Sequence, residues 1–479
     1  MTNLRSVPWR RPPMAACGIA NRLFSIEAPK QSDLYLGDLG LRNPQNGWTN
    51  LEDDMRGLNV WKATLAFAVV TLPAFTGDCL QAGELCVNQS GKSGCYSTIG
   101  AAVSAASPFD VIRVGKGTYH ENVVITTPLS LLGEGAENTI VDATGLLNGI
   151  NVDGGHDPSV VNLGHVVISG FAVRNANAQG IVVTNAFDVT ISDNHLTGND
   201  QSLNVAALQC PVLPPYFQAG EGFDCGEGIH LSGVHHSVVA NNLVEHNAGG
   251  ILVSDDTGSN HDNLISGNIV QDNPFDCGIT IASHHFNLGP TDPAVGIYRI
   301  TIVGNTSQRN GLVTGEGAGV GLFAGPPGAQ NNGNVVAGNI LRDNGLPGVA
   351  MHTHGPFQSL NDHQIVGNTI SGNGADSDPG TTVPTGISIF SPVVPVTGIA
   401  ISQNKFSGEG IDIGVNALGS IQVHFNSLTA NLGIDNIGGA ASINATSNWW
   451  KCSGGPGANG CSTFMGSGIV VNPWLTKPF

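Results

Sequence analysis

The stretch GILVSDDTGSNHDNLISGNIVQDNPFDCGITIAS, residues 250–283, contains one complete unit of a repeat. It opens with Gly-Ile and a short alternating segment, passes through Asn268 and Asn273, and returns to Gly-Ile at 278. Alternation of apolar and polar residues is typical of a β-strand. Gly and Asn favour bends because both tolerate left-handed backbone. The stretch therefore predicts short strands separated by tight bends.

The same two marks recur over most of the chain. The Gly-Ile or Gly-Val mark also occurs as GINVDG at 149, GIVVTN at 180, GIHLSG at 228, GVGLFA at 319, GVAMHT at 348, GISIFS at 386, GIDIGV at 410 and GIDNIG at 433. The Asn-x4-Asn mark occurs at Asn194/Asn199, Asn242/Asn247, Asn268/Asn273, Asn305/Asn310, Asn339/Asn344, Asn368/Asn373 and Asn426/Asn431. The tightest spacings are 22 to 24 residues. A period in the low twenties with short strands predicts a solenoid, in which stacked Asn side chains hydrogen-bond from turn to turn.

Composition limits the classes of function. The 479 residues include 36 Asp and Glu against 18 Lys and Arg, a formal net charge of −18. A nucleic-acid binder needs a basic face to neutralise phosphates, so that class is excluded. A hydrophobic content of 41% is enough for a large core and argues against disorder. The 66 Gly lack the every-third-residue period of collagen.

The repeat resembles the right-handed parallel β-helix of the pectate-lyase-like superfamily, and more narrowly proteins with NosD-like β-helix repeats. The Leu-x-x-Leu-x-Leu signature of the competing leucine-rich solenoid is missing. The resemblance covers residues 95–479. It implies an all-β fold, a single-stranded right-handed parallel β-helix of roughly a dozen coils. A short amphipathic helix, capped by Ser97 or Thr98, is expected to cover its N-terminal end.

Residues 55–77, MRGLNVWKATLAFAVVTLPAFTG, have the layout of a secretory signal peptide. Arg56 and Lys62 precede an apolar segment, Ala63 to Phe75, which is too short to span a membrane; the alternative is a buried core helix. Because such signals stand at an N-terminus, we expect residues 1–54 to be a mis-called or disordered extension. Residues 78–479 then form the β-helix domain of a secreted protein, extracellular or periplasmic, without a membrane span and monomeric.

Cysteine usage agrees with export. Beyond Cys17, eight cysteines remain, and an even number suits disulfides formed in an oxidising compartment. Three local pairs are expected: Cys86–Cys95, Cys210–Cys225 and Cys452–Cys461. Cys79 and Cys277 are left unassigned. No CxxC spacing occurs, which disfavours a zinc site built from these cysteines.

Aligned on Gly-Ile, successive coils place chemistry-bearing side chains in columns. Six residues after the Gly stand Asp256, His284 and, two coils further, His354. Four residues after the Gly, successive coils carry Ser232, Ser254, Ala282, Phe323, His352 and Phe390. Stacked coils are about 5 Å apart, so a carboxylate and an imidazole on neighbouring coils can serve as general base and acid or bind a metal. We predict a catalytic face of Asp256, His284 and His354, with Asp255, His285 and His352 beside it. The alternative is that all six are turn residues without a shared task.

Two further features bear on this face. Long insertions at residues 201–227, 284–297, 311–318 and 374–385 are expected to wall a groove. Asp255, Asp256 and Asp262 lie in the oxygen-rich loop SDDTGSNHDN, which predicts a Ca²⁺ site because hard cations prefer such ligands; a solvated acidic loop is the alternative.

The resemblance does not supply an activity. Pectate lyases use a basic residue as base, yet none lies between Arg174 and Arg299. The motif sets of pectin methylesterases, polygalacturonases and mannuronan epimerases are also incomplete here. Two hypotheses follow. The first is a lyase or glycoside hydrolase of extracellular polysaccharide that uses the Asp/His face. The second is a non-catalytic surface or adhesion-type solenoid that binds glycans or proteins.

Overall fold

The computed structural model describes residues 82–155, 163–203, 225–286 and 295–478. These residues form a β-helix whose coils each contribute strands to parallel stacks. The predicted all-β parallel β-helix is confirmed. The predicted extension 1–54 and signal peptide 55–77 lie outside the described residues.

The strands at the Gly-Ile and Gly-Val marks form the first stack, which β4 (Val123–Ile125) and β38 (Thr463–Met465) extend at its two ends. Its members are β4 (Val123–Ile125), β7 (Ile150–Asp153), β10 (Ile181–Thr184), β13 (Glu227–Ser232), β16 (Gly249–Ser254), β20 (Ile279–Ser283), β24 (Val320–Ala324), β28 (Val349–Thr353), the start of β31 (Thr385–Ser402), the start of β33 (Ile411–His424), β35 (Leu432–Asn436) and β38 (Thr463–Met465).

A second stack follows the first along each coil. It contains β1 (Glu84–Val87), β2 (Asp110–Val114), β5 (Leu129–Gly133), β8 (Leu163–Ser169), β11 (Ala186–Ser192), β14 (Val238–Ala240), β18 (Leu264–Ser266), β22 (Thr301–Val303), β26 (Val335–Ala337), β29 (Gln364–Val366), the ends of β31 and β33, β36 (Ser442–Asn444) and β39 (Ile469–Val470). Because β31 and β33 run through both stacks, the two form one 24-stranded sheet.

The third stack is a separate 12-stranded sheet, which matches the predicted dozen coils. It contains β3 (Gly117–Tyr119), β6 (Thr139–Asp142), β9 (Ala172–Arg174), β12 (His195–Thr197), β15 (Leu243–Glu245), β19 (Ile269–Gln271), β23 (Thr306–Gln308), β27 (Ile340–Arg342), β30 (Thr369–Ser371), β32 (Lys405–Ser407), β34 (Ser427–Leu428) and β37 (Trp449–Trp450). A small sheet of β17 (Asn260–His261), β21 (Ile297–Tyr298) and β25 (Asn331–Asn332) lies in the bends between the first two stacks.

The N-terminal end is closed by α1, Ile99–Ala105, as predicted. Thr98 caps it, with Oγ1 accepting from Ala101 N at 3.2 Å. The Glu121 carboxylate accepts from Ile99 N and Gly100 N at 2.8 and 2.7 Å, which satisfies two further amides of the first turn. Ile99, Ala102 and Val103 are buried against the first coil. In the described ranges, no helix has the length and apolarity that crossing a bilayer demands.

Two columns of buried asparagines run along the bends. In one, each Asn Oδ1 accepts both the backbone N–H and the side-chain Nδ2 of the Asn one coil earlier, as between Asn268 and Asn305, both at 2.9 Å. This column continues from Asn194 to Asn448. The second runs from Asn199 to Asn373 and then to Glu409, whose Oε1 takes the acceptor role. We call these columns the asparagine ladders.

Cysteine pairs close short segments near both ends of the described chain. Cys86 is bonded to Cys95 and Cys452 to Cys461. Cys225 is disulfide-bonded, and its predicted partner Cys210 lies outside the described residues, as does Cys79. Cys277 is buried, with its Sγ accepting from Ala318 N at 3.1 Å. These disulfides agree with folding outside a reducing cytosol.

Candidate functional site

The register of the first stack aligns the residues that stand four positions after each Gly, as predicted. Ser254 pairs with Ala282, Ala282 with Phe323, Phe323 with His352 and His352 with Phe390. The neighbours of these residues along each strand point into the apolar core, so the column itself points outward. His352 is nevertheless only 7% exposed, because the insertions cover this face.

A groove of about 480 Å³ lies over the column at His352. Phe323, His352 and His354 form its floor, and residues 315–316 and 375–378 with Thr381 form its walls. Two of the four insertions expected to wall a groove, 311–318 and 374–385, therefore do so. The lining contains Glu316, Asp376 and Asp378 and no Lys or Arg, so the groove is acidic.

Two imidazoles and two carboxylates meet in this groove. His352 Nε2 lies 2.7 Å from Asp376 Oδ2, and Ser388 Oγ donates to the same oxygen. His352 Nδ1 and His354 Nε2 each lie 3.3 Å from Asp378 Oδ2. The His352 side chain is 9% exposed and that of His354 50%. One histidine is thus held in place by a buried carboxylate while the other faces solvent.

The local environment shifts the pKa of two of these groups. Burial lowers the pKa of His354, and the nearby charge of His352 lowers it further, against the opposing effect of Asp378. Burial alone would raise the pKa of Asp376, but the hydrogen bond and the charge of His352, with Ser388, lower it overall. His354 is therefore neutral at neutral pH and available as a base, while Asp376 is ionised and fixes His352.

Asp256 and His284 form a second, buried pair. His284 Nδ1 lies 3.0 Å from Asp256 Oδ1, and their side chains are 5% and 1% exposed. On the preceding coil, His230 Nε2 lies 3.9 Å from Asp256 Oδ2 and 2.8 Å from Ser254 Oγ. The predicted adjacency of Asp256 and His284 is therefore present, whereas His354, two coils further, pairs with Asp378 instead.

The neighbouring predicted residues complete this buried network. Asp255 Oδ2 accepts from Ser283 Oγ at 2.7 Å, and its Oδ1 accepts from the backbone N–H groups of His284 and His285 at 2.7 and 3.1 Å. Burial raises the pKa of Asp255 and lowers that of His230 to about 4. The pKa of Asp256 is lowered, because the charge and hydrogen bond of His284 outweigh burial.

Asp262 has different partners from the other two predicted calcium ligands. Arg299 Nε and Nη2 donate to its two oxygens at 2.7 and 2.8 Å, and His261 Nδ1 lies 2.8 Å from Oδ2. The hydrogen bond from Arg299 holds the pKa of Asp262 well below its usual range. Asp255, Asp256 and Asp262 thus each accept hydrogen bonds from protein groups. The calcium site at these three carboxylates stays a prediction.

A row of five rings, two exposed and three half-buried, follows the bend between the first two stacks. Its members, which we call the aromatic row, are Phe109, His165, Phe187, His235 and His261. Successive ring centroids are 5.9, 5.5, 5.7 and 4.8 Å apart, and the last two pairs are stacked at 11° and 4°. Phe109 is 52% exposed. Strand spacing near 4.8 Å explains why equivalent rings on neighbouring coils stack.

Asp376 and Asp378 are functional candidates that the sequence reasoning missed. Both lie in the insertion 374–385, outside the repeat, so column alignment cannot place them. The available signal was the Asp-Ser-Asp sequence in an insertion expected to form a wall of the groove.

Comparison with known proteins supports the fold. Residues 134–358 match the family model described as right handed beta helix region, which confirms the resemblance at that level; the NosD-like subdivision stays a prediction. No curated protein matches the sequence.

Solved structures similar to the chain share little sequence with it. The mannuronan C-5 epimerase AlgE4 A-module from Azotobacter vinelandii is 14% identical, with a TM-score of 0.41 over 79% of this chain and 94% of that one. The enzymatically active domain of bacteriophage CBA120 tailspike protein 2 is 14% identical, with a TM-score of 0.44 over 82% and 52%. Pectin methylesterase PemA from Erwinia chrysanthemi is 14% identical, with a TM-score of 0.34 over 58% and 81%. At this level of identity the likeness concerns the fold alone.

Proposed function

We propose that the protein acts on an extracellular polysaccharide in the groove over His352, as a lyase or glycoside hydrolase. The observation that carries this proposal is the pair His352–Asp376 on the floor of an open groove, with His354 beside it. A buried carboxylate that orients the imidazole of His352, next to the imidazole of His354, provides a general acid and a general base. Phe323 and Phe390 flank the histidines at 5.3 Å and supply apolar ring faces for a sugar.

This assignment selects His352 and His354 from the six predicted catalytic residues. Asp256, His284, Asp255 and His285 form the neighbouring buried network, which we propose supports the strand ends rather than contacting substrate. The acidic lining repels an anionic chain in the absence of a cation. Neutral polysaccharides are therefore the preferred substrates without added metal, and the reaction on them is hydrolysis. Elimination requires a uronate, so the lyase reaction applies to acidic chains bound together with a cation.

The test uses protein secreted from a host and incubated with neutral and acidic polysaccharides. Reducing ends report hydrolysis, and ultraviolet absorbance from unsaturated uronate ends reports elimination. We expect His352→Asn and Asp376→Asn to lower the rate by about 10²–10⁴-fold, the usual contribution of a proton-transfer group. His354→Asn, at a half-exposed position, gives the same result with little risk to folding.

The matched control is His195→Asn. His195 Nε2 lies 3.0 Å from Glu245 Oε1 on the 12-stranded sheet, so it is a histidine–carboxylate pair outside the groove. We expect His195→Asn to leave the rate unchanged. Activity that survives all three groove variants would refute the assignment.

The aromatic row favours a second candidate, glycan binding without catalysis. Phe187, His235 and His261 stack face to face, so they present their ring edges to solvent beside the exposed rings of Phe109 and His165. Together they form an aromatic surface on which a glycan chain can lie. We expect Phe187→Ala and His235→Ala to weaken retention on a glycan affinity gel by about 3–10-fold each. Phe425→Ala, an exposed Phe outside the row, is the control. Retention unchanged in both row variants would remove this candidate.

A further inference from the structure

Three side-chain atoms of the groove are arranged to bind a ligand. His352 Nδ1, His354 Nε2 and Asp378 Oδ2 all lie within 4.8 Å of one another. The two nitrogens are each 3.3 Å from the carboxylate oxygen, longer than a normal hydrogen bond. With metal–ligand bonds of about 2.0–2.1 Å, two ligands on a tetrahedral ion stand about 3.3–3.4 Å apart. We propose that His352, His354 and Asp378 bind a divalent transition-metal ion of the Zn²⁺ class.

Asp376 supplies the outer support that such a site requires. It accepts from His352 Nε2 at 2.7 Å, which places the ring proton on Nε2 and leaves the Nδ1 lone pair free to bind the ion. Asp376 is 1% exposed and is itself held by Ser388 Oγ, while its backbone N–H donates to Thr381 Oγ1 at 2.7 Å. The ligand orientation is therefore built into the fold before any ion arrives.

The ligand set selects the class of ion. Two imidazoles and one carboxylate suit Zn²⁺ and its first-row neighbours, whereas Ca²⁺ takes six to eight oxygens. Three protein ligands leave one position of a tetrahedral ion open toward the groove, for water or a glycan oxygen. His352 and His354 can transfer protons, as proposed above, or hold the ion through the same nitrogens, so the two roles exclude each other. What a bound ion would do to a sugar rests on the proposed function, but its binding does not.

A second His/Asp group provides a contrast. His236, His261 and Asp262 also lie within 4.8 Å of one another. In that group, the Arg299 guanidinium donates to both Asp262 oxygens, so the carboxylate is already paired with a positive charge. Such a charge would repel a cation. No Lys or Arg lines the groove at His352, which makes that group the metal site.

The experiment titrates untagged, chelator-stripped protein with Zn²⁺ alone in a calorimeter, and with Co²⁺ alone in a spectrophotometer. We expect one equivalent to bind and the Co²⁺ complex to show the absorption of a tetrahedral site. His354→Ala and Asp378→Asn, both at partly exposed positions, should weaken binding at least tenfold. Asp376→Asn should weaken it about 10–100-fold, as outer-shell losses do. His236→Ala is the matched control and should bind normally.

The outcomes separate this proposal from the preceding one. No binding by the folded wild-type protein, or binding lost in His236→Ala and kept in Asp378→Asn, overturns the metal site even if polysaccharide is cleaved. One bound equivalent that requires His354 and Asp378 supports the site even if no polysaccharide is cleaved. Ca²⁺ at the same concentration should not displace Zn²⁺, and displacement would refute the assigned class of ion.

Discussion

Replacing Asn305 by Ala is expected to lower the free energy of unfolding by about 4 kcal/mol. Asn305 is 1% exposed and lies in the middle of the first asparagine ladder. Its Oδ1 accepts from Asn268 N and Nδ2, and its Nδ2 donates to Ile265 O and Asn339 Oδ1. Truncation leaves Asn268 N and Ile265 O buried without these partners, and each such group costs about 1–3 kcal/mol. Urea unfolding followed by circular dichroism measures the loss.

The control for this experiment is Asn122→Ala. Asn122 is exposed, and within the described part of the chain its side chain makes no hydrogen bond of normal geometry. Surface substitutions of this kind change stability by less than about 0.5 kcal/mol. If Asn305→Ala shifted the unfolding midpoint no more than Asn122→Ala does, the ladder would not be a source of stability.

The second large effect concerns Glu409, which occupies a ladder position that asparagine fills in the preceding coils. Its Oε1 accepts from Asn373 N and Nδ2 at 3.3 and 3.1 Å, and among the described residues its Oε2 has no hydrogen-bond partner. Burial raises the pKa of Glu409 to about 7. The unfolded chain loses this proton near pH 4.5, but the folded chain holds it until about pH 7. The stabilisation is therefore complete below pH 4.5 and falls by about 3 kcal/mol as the pH rises through 7.

Glu409→Gln keeps the acceptor and removes the titration. We expect the variant to match the wild type at pH 4.5 and to be about 3 kcal/mol more stable at pH 8. Asp412, also buried with its pKa raised by burial, leaves a residual pH dependence of the same sign. Glu137→Gln, at an exposed position, is the control. An unfolding midpoint for Glu409→Gln that follows the wild type at every pH would contradict the prediction.

The sequence predicted most of the scaffold because the fold depends on local, repeated chemistry. The Gly-Ile or Gly-Val mark near the start of most first-stack strands and the Asn at the bends recur once in each coil, so aligning the coils on these marks gives the register. The same alignment placed Asp256 beside His284 and His352 beside Phe323. These contacts lie between neighbouring coils, where the strand spacing sets the distance.

Contacts made by the insertions cannot be predicted by aligning the repeats. Asp376 and Asp378 reach His352 and His354 from a segment that has no repeat, so only folding brings them together. Burial was missed for a related reason. Asp256 and His284 occupy outward positions that an exposed turn would also have, and alternation alone does not reveal what covers an outward face. The aromatic row was missed because its rings occupy bends of different length.

Because of the asparagine ladders, the length of an insertion can change independently of the contacts that hold the coils together. The hydrogen bond from Asn194 Nδ2 to Asn242 Oδ1 joins residues 48 positions apart and measures 3.1 Å. The equivalent hydrogen bond from Asn404 to Asn426 spans 22 positions and measures 3.0 Å. A coil can therefore more than double in length without any alteration of the step between coils. Insertions that remodel the groove therefore leave the hydrogen bonds between coils in place. New specificities can thus arise by lengthening or exchanging a loop, while selection on stability acts on a separate set of residues.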